Sequence, residues 1–254
     1  MQLRGRCEFI HSKEGYGYID YMKSSTHNFN AQVSLDGRLH YGSGMNTDLR
    51  FLNFAHRIFE SGAVKLRAQG GEVYSAEERL DLWESRLKIK EPLRLNPYFK
   101  ENAERPTDTY IVRLSSNGEC SLNFEQIKAN ALCHVLLMVD PGIQVRLVEH
   151  IRAQDYFGLI LDVIVGAHSR LEYTVHQDTS KQTTNIILRN FSLSDQAYLR
   201  LIDVETGGRL SLVHTWIRLD GACARGEIYG GFFGNDSQKF DIYNVIEHRA
   251  SSTV

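Results

Sequence analysis

From about Thr109 onward the apolar residues come in short runs instead of at helical spacing. The runs are Val135–Val139, Leu159–Val165, Asn185–Leu188, Ser211–Trp216 and Asp241–Ile246. Each is followed by a turn and a second short strand. The second strands align as Ile143–Leu147, Ala167–Leu171, Ala197–Leu201, Ala222–Gly226 and Ala250–Val254, with Arg146, Arg170, Arg200 and Arg225 at the fourth place of the first four. The first positions lie 24, 30, 25 and 28 residues apart. A quasi-period of this size, made only of strands and turns, predicts a solenoid in which each coil buries its apolar side on the next. A propeller blade needs about 40–45 residues, so the period favours a parallel β-helix. A β-sandwich with chance internal similarity is the competing fold.

The first part of the chain has a different texture. Ser75-Ala-Glu-Glu78 has the spacing of a helix capping box, and Leu80, Trp83 and Leu87 follow at i, i+3 and i+7, which predicts a helix over 76–90. Leu49, Leu52, Ala55, Ile58 and Phe59 predict another over 48–60, capped by Asn46 or Thr47. Met1–Ile10 and Gly15–Ile19 read as strands. Pro92, Pro97 and Pro106 fall in one charged, broken stretch that suits a linker. The expected organisation is a mixed α+β region over 1–90, a Pro-rich linker over 91–108 and a mainly β solenoid over 109–254.

Composition narrows the function. The chain has 254 residues, with 29 Lys plus Arg against 31 Asp plus Glu, a net charge of −2. A protein built to neutralise a phosphate backbone is usually basic, so a dedicated nucleic-acid binder is not expected. No apolar stretch has the length of a membrane span; the longest, Gly158–Ala167, is broken by Asp162. The first residues have no apolar core of a signal peptide, which makes the expected location cytoplasmic. Cys7, Cys120, Cys133 and Cys223 are scattered without a C-x-x-C pair and predict neither disulfides nor a zinc site.

Catalytic motifs are absent. No Gly is followed by Lys, so there is no P-loop, and there is no Gly-x-Ser-x-Gly or His-Glu-x-x-His. That removes the commonest readable hydrolases, though not every hydrolase. Three weaker constellations remain. His134, His150, His168, His176, His214 and His248 lie in the repeat, where residues one coil apart stack and could converge on a metal. Asp203 with Glu205, or Asp236 with Asp241, could form the acid–base pair of a carbohydrate-active β-helix enzyme. Lys13-Glu-Gly-Tyr16-Gly-Tyr18-Ile resembles the aromatic strand by which cold-shock domains stack on single-stranded bases, which is the nucleic-acid alternative.

A longer likeness covers just under half the chain. Val139-Asp-Pro-Gly142, Val148-Glu-His150, Leu161 to Tyr173 with Gln177, Gly207-Gly-Arg209, Leu219-Asp-Gly-Ala222, Gly226-Glu-Ile-Tyr229, Gln238-Lys-Phe-Asp241 and Val245-Ile-Glu-His248 follow one another in order. Together they resemble the core of the SufB/SufD family, scaffold proteins of the SUF iron–sulfur cluster assembly system, with an order closer to SufD. The resemblance implies a right-handed parallel β-helix and a non-catalytic scaffold acting by protein–protein contacts. Its implied partners are SufB-like and SufC-like proteins, or a second copy joined through the β-helix edge; ATP chemistry would belong to SufC. No cofactor would be firmly bound, and an iron–sulfur cluster would rest there only transiently with partners. The place of SufB's sulfur-accepting cysteine, near Ile151, carries no thiol. Of SufB's tunnel pattern, Gln then Trp two residues on, Gln177 is kept while Thr179 stands for the Trp. The chain also stops before the family's last coils and C-terminal segment, so its last edge is expected to be covered by another chain.

Overall fold

The computed structural model describes residues 7–11, 57–84, 97–235 and 237–254. The early elements are β1 (Cys7–His11), β2 (Val64–Gln69), β3 (Glu72–Ser75), α1 (Leu80–Trp83) and α2 (Pro97–Glu104). The repeat supplies β4 (Asp108–Leu114), β5 (Gly118–Gln126), β6 (Asn130–Val139), β7 (Gln144–Ala153), β8 (Tyr156–Val165) and β9 (Arg170–Thr179). It continues through β10 (Thr184–Leu193), β11 (Tyr198–Glu205), β12 (Leu210–Leu219), β13 (Arg225–Phe232) and β14 (Lys239–His248). Successive strands alternate between two sheets, ordered β1-β14-β12-β10-β8-β6-β4-β3 and β13-β11-β9-β7-β5-β2. Every pairing is parallel except β3 with β4 and β2 with β5. The result is a parallel β-solenoid of about five turns, and the parallel register excludes the antiparallel sandwich.

The two sheets differ because their outer faces differ. All ten residues of β12 are buried, and β6, β8 and β10 are almost as fully covered. Sheets covered on both faces read as unbroken apolar runs, which is why these strands stood out in the sequence. In the second sheet, β5 and β7 alternate buried with exposed positions, so one face meets the lumen and the other water.

Helix α2, within the stretch read as a linker, packs on the outer face of the first sheet. Phe99 is buried there with Leu132, Tyr156, Ile160, Ile186 and Leu188. Asn102 is buried too; its Nδ2 donates to the Ile186 carbonyl at 3.3 Å, and it accepts from the Tyr156 hydroxyl at 3.3 Å. Gly158 makes the seat, since a Cβ there would lie 2.5 Å from Asn102 Nδ2. Strands β2 and β3, from the region expected to be separate, are hydrogen-bonded into the solenoid sheets. The capping-box bonds form, Ser75 N to Glu78 Oε2 at 2.8 Å and Glu78 N to Ser75 Oγ at 3.3 Å. Among the described residues, however, only Leu80–Trp83 is helical there. Residues 57–60 carry no helix. The rest of the expected 48–60 helix, and Gly15–Ile19, lie outside the described residues. The outer edge of β14 is paired by β1 of the same chain, Cys7 beside Asn244 through His11 beside His248. For this sheet, the edge expected to need another chain is covered from within.

The turns repeat more faithfully than the strands. Gly142, His168, Gln196, Cys223 and Ser252 have φ of 76°, 61°, 56°, 59° and 59°. The first four each donate their N–H to a carbonyl one coil on: Ala167, Asp195, Ala222 and Ser251. Only one of the five is Gly, although a left-handed residue with a Cβ costs roughly 1–2 kcal/mol. Gln196→Gly is therefore expected to raise stability, by about 0.5–1 kcal/mol after the greater unfolded-chain entropy of Gly is subtracted. Urea denaturation would show an increased midpoint with unchanged slope.

The register corrects the alignment of the four arginines. Arg146 and Arg200 lie on one outer row, Glu119–Arg146–Glu172–Arg200–Glu227, whose members are successive Cα partners. Arg170 and Arg225 lie one row over, on either side of Tyr198. The row alternates in charge, with Arg146 3.7 Å from Glu119 and 3.3 Å from Glu172, and Arg200 3.2 Å from Glu227. Gap-free matching of short segments missed this because the true register is two residues away at each step, which keeps the face and changes the row.

Candidate functional site in the solenoid lumen

Inside the solenoid one strip is polar. The phase of β10 turns Ile187, Arg189, Phe191 and Leu193 inward, which places a guanidinium in the core with no exposed surface. A buried cation must find anions, and three strands of the opposite sheet supply polar partners. Arg189 Nη2 donates to Glu149 Oε1 on β7 at 2.8 Å, and Nη1 lies 3.4 Å from Asp203 Oδ2 and 3.7 Å from Glu205 Oε1 on β11. From β9, the Tyr173 hydroxyl donates to the other Glu149 oxygen.

Three carboxylates around one cation leave an excess of negative charge. Burial, then the charge of neighbouring Asp203, pushes the Glu205 carboxyl well above the usual carboxylate range. Burial also pushes the Tyr173 phenol up, with Glu149 adding to it. Burial alone would favour a neutral Arg189, but Glu149, Asp203 and Glu205 together outweigh it and hold the guanidinium charged.

Gln177 lies in the same lumen, 2% exposed, beside Ile151 in the strand register. Its Oε1 accepts from the Gly207 N–H at 3.2 Å, and its Nε2 has no hydrogen-bond partner among the described residues. Thr179, two residues on, accepts from Asn185 Nδ2 at 3.2 Å, which also donates to Ser211 Oγ at 3.0 Å. Buried oxygens of Glu205, Thr215 and Asn244 likewise lack partners among the described residues. The lumen therefore presents a strip of donors and acceptors with spare capacity. Its two thiols, Cys120 and Cys133, belong to the apolar part of the core, and burial pushes both up, so they stay protonated.

The other expected residues fall elsewhere. His134 Nε2 lies 2.8 Å from Asp162 Oδ2 on the covered face of the first sheet, where Asn190 Nδ2 donates to Asp162 Oδ1 at 2.8 Å and Trp83 packs edge-on. His168 is an exposed turn residue, and His248 Nδ1 lies 2.7 Å from Thr253 Oγ1. His214 is fully buried against Phe99, Trp216 and Tyr243. Only His150 and His176 come together. Among the described residues no three His, Cys, Asp or Glu side chains group as metal ligands. Asp203 and Glu205 face the lumen beside Arg189, at 4% and 0% exposure, where no polysaccharide can reach them, so this pair is not the acid–base couple of a carbohydrate-active enzyme. Asp236, Tyr16 and Tyr18 lie outside the described residues. Arg189, Glu149 and Tyr173 were missed; the available signal was a charge at an inward phase within the apolar run Ile186 to Leu193.

The described residues thus define a parallel β-solenoid with a polar strip in its lumen. The family model for the SUF system FeS cluster assembly SufBD core domain matches residues 123–254, just over half of the chain and nearly all of the repeat. The chain belongs to the SufBD family. It is also 26% identical over 123 residues to an iron-sulfur cluster assembly SufBD family protein of Mycobacterium leprae (strain TN). That alignment covers 46% of this chain and 14% of the relative, so the chain spans only a small part of that protein's length. Among the described residues no helix is long and apolar enough to cross a membrane.

Proposed function

We propose that this chain is a non-catalytic, SufD-like scaffold of iron–sulfur cluster assembly, working in the cytoplasm with SufB-like and SufC-like partners. The observation that carries the reading is the lumen: its polar strip runs from Glu149 past Gln177, while the two buried thiols, Cys120 and Cys133, lie in the apolar part of the core. Such a chain is suited to accompany a sulfur-accepting subunit and poorly suited to be one. Gln177, with an amide nitrogen to spare, is the position at which a passing group would be held. The cluster is cargo, resting here only transiently with partners. Contacts would form at β13, the outer strand of the second sheet, where Tyr229 and Phe232 are exposed.

Co-expression with the SufB-like and SufC-like proteins of the same source tests this. The expected result is a stable complex of defined stoichiometry by light scattering, with ATP hydrolysis confined to the SufC-like subunit. A chain that co-purifies with neither, or that hydrolyses ATP alone, would overturn the reading; a self-dimer would remove the heteromeric part.

A further inference from the structure

On the water-facing side of the second sheet, His150 of β7 and His176 of β9 are ladder partners in adjacent coils. Their Nδ1 atoms are 3.2 Å apart, with the rings inclined at 77°. One Nδ1 thus donates to the other, and an ion bound between the rings takes the place of that shared proton. Two imidazoles binding one ion at about 2.0–2.1 Å would hold their nitrogens roughly 2.8–3.0 Å apart at the right angle of a tetragonal ion and roughly 3.3–3.4 Å apart at a tetrahedral angle. The 3.2 Å already present lies between the two figures, so binding needs only a small turn of the rings and no rearrangement of the strands. The parallel ladder fixes both backbones, and the fold has already met the cost of bringing two distant residues together.

We infer that His150 and His176 form a two-histidine clamp for a late first-row transition-metal ion, the remaining positions being filled by water. The site is independent of the lumen and of the scaffold reading. Its surroundings set which ion it takes. His150 also lines a shallow cavity with Lys65, Arg67, Glu125 and Arg152. Glu125 pairs with Arg67 at 3.8 Å, which leaves a local excess of positive charge. Water and salt screen that charge at an exposed site, but it still weakens every divalent ion. Only ions with strong imidazole bonds overcome it, so Cu²⁺ and Ni²⁺ are favoured over Mn²⁺ and Fe²⁺.

Titration of the tag-free full chain with Ni²⁺ in a calorimeter tests the clamp. One saturable site per chain is expected, weakened at least tenfold in His150→Gln and equally in His176→Gln. His168→Asn, at an exposed histidine of a turn, should leave it unchanged. Loaded with Cu²⁺, the wild type should show two equatorial nitrogens by electron paramagnetic resonance, and each single variant one fewer. Non-saturable uptake, loss in only one of the two variants, or equal loss in His168→Asn would overturn the assignment. Both histidines are on the surface, so thermal melting of the variants should match the wild type and separate lost binding from lost fold.

Discussion

Arg189→Leu is expected to destabilise the fold by about 3–5 kcal/mol, the cost of stripping one partner from a buried ion cluster. For a chain of this size that is a fall in Tm of roughly 6–20 °C. The reason is asymmetric: removing the cation leaves Glu149 and Asp203 buried with no opposite charge. Hydrophobic gain from leucine does not compensate, because the loss lies in the desolvated carboxylates left behind. The same logic predicts rescue. Glu149→Gln added to Arg189→Leu should recover part of the loss, giving a double-mutant coupling above about 1 kcal/mol. Chemical denaturation of the four proteins reads the cycle. Additive effects would mean that the two residues do not act as a pair.

The second large effect is on acid stability. His214 is fully buried with no hydrogen-bond partner for either ring nitrogen among the described residues, and burial pushes it down to about 3 from 6.5. A group whose folded-state pKa is depressed contributes stability that is present above its unfolded pKa and lost as pH falls towards the folded value. Here the window runs from pH 6.5 down to 3. The loss is about 2–3 kcal/mol at pH 4.5 and approaches about 5 kcal/mol at its limit. Glu205 works in the opposite sense: its raised carboxyl pKa gives stability that is full below the unfolded value of 4.5 and declines as pH rises through the folded one. The difference between proteins is therefore the informative quantity. His214→Leu should match or exceed the wild type at pH 7, since two unpaired buried nitrogens are removed. Its advantage should then widen steadily towards pH 4.5. Parallel curves for the two proteins across that range would refute the account.

How far the sequence foretold this molecule depended on which face a residue occupies. The strands of the first sheet were legible because burial on both faces writes an unbroken apolar run, as in Leu159–Val165. The period also placed the second sheet, but not its register, since turns of slightly different length carried Arg170 and Arg225 one row away from Arg146 and Arg200. Gln177 was reached by likeness to a family. The cluster around it was not, because Arg189, Glu149 and Tyr173 are 40 residues apart at most yet come from three strands, and their meeting depends on inward phase. The histidines show the same limit. Convergence by stacking was a sound expectation, and one pair of six met it. Helix α2 was obscured by prolines that read as a linker, although Pro97 opens the helix, at a position where its missing N–H costs nothing.

The alternating row Glu119–Arg146–Glu172–Arg200–Glu227 has an open end. Each inner member has an opposite charge on both sides, whereas Glu227, on the outermost strand of its sheet, has one only on the Arg200 side. Facing charges on neighbouring strands attract or repel according to sign. A strand continuing this sheet in the same register would gain a little, as exposed ion pairs do, from a basic side chain opposite Glu227 and lose a similar amount with an acidic one. The row thus carries a sign preference to the sheet's edge, a small bias on what can lie beside it.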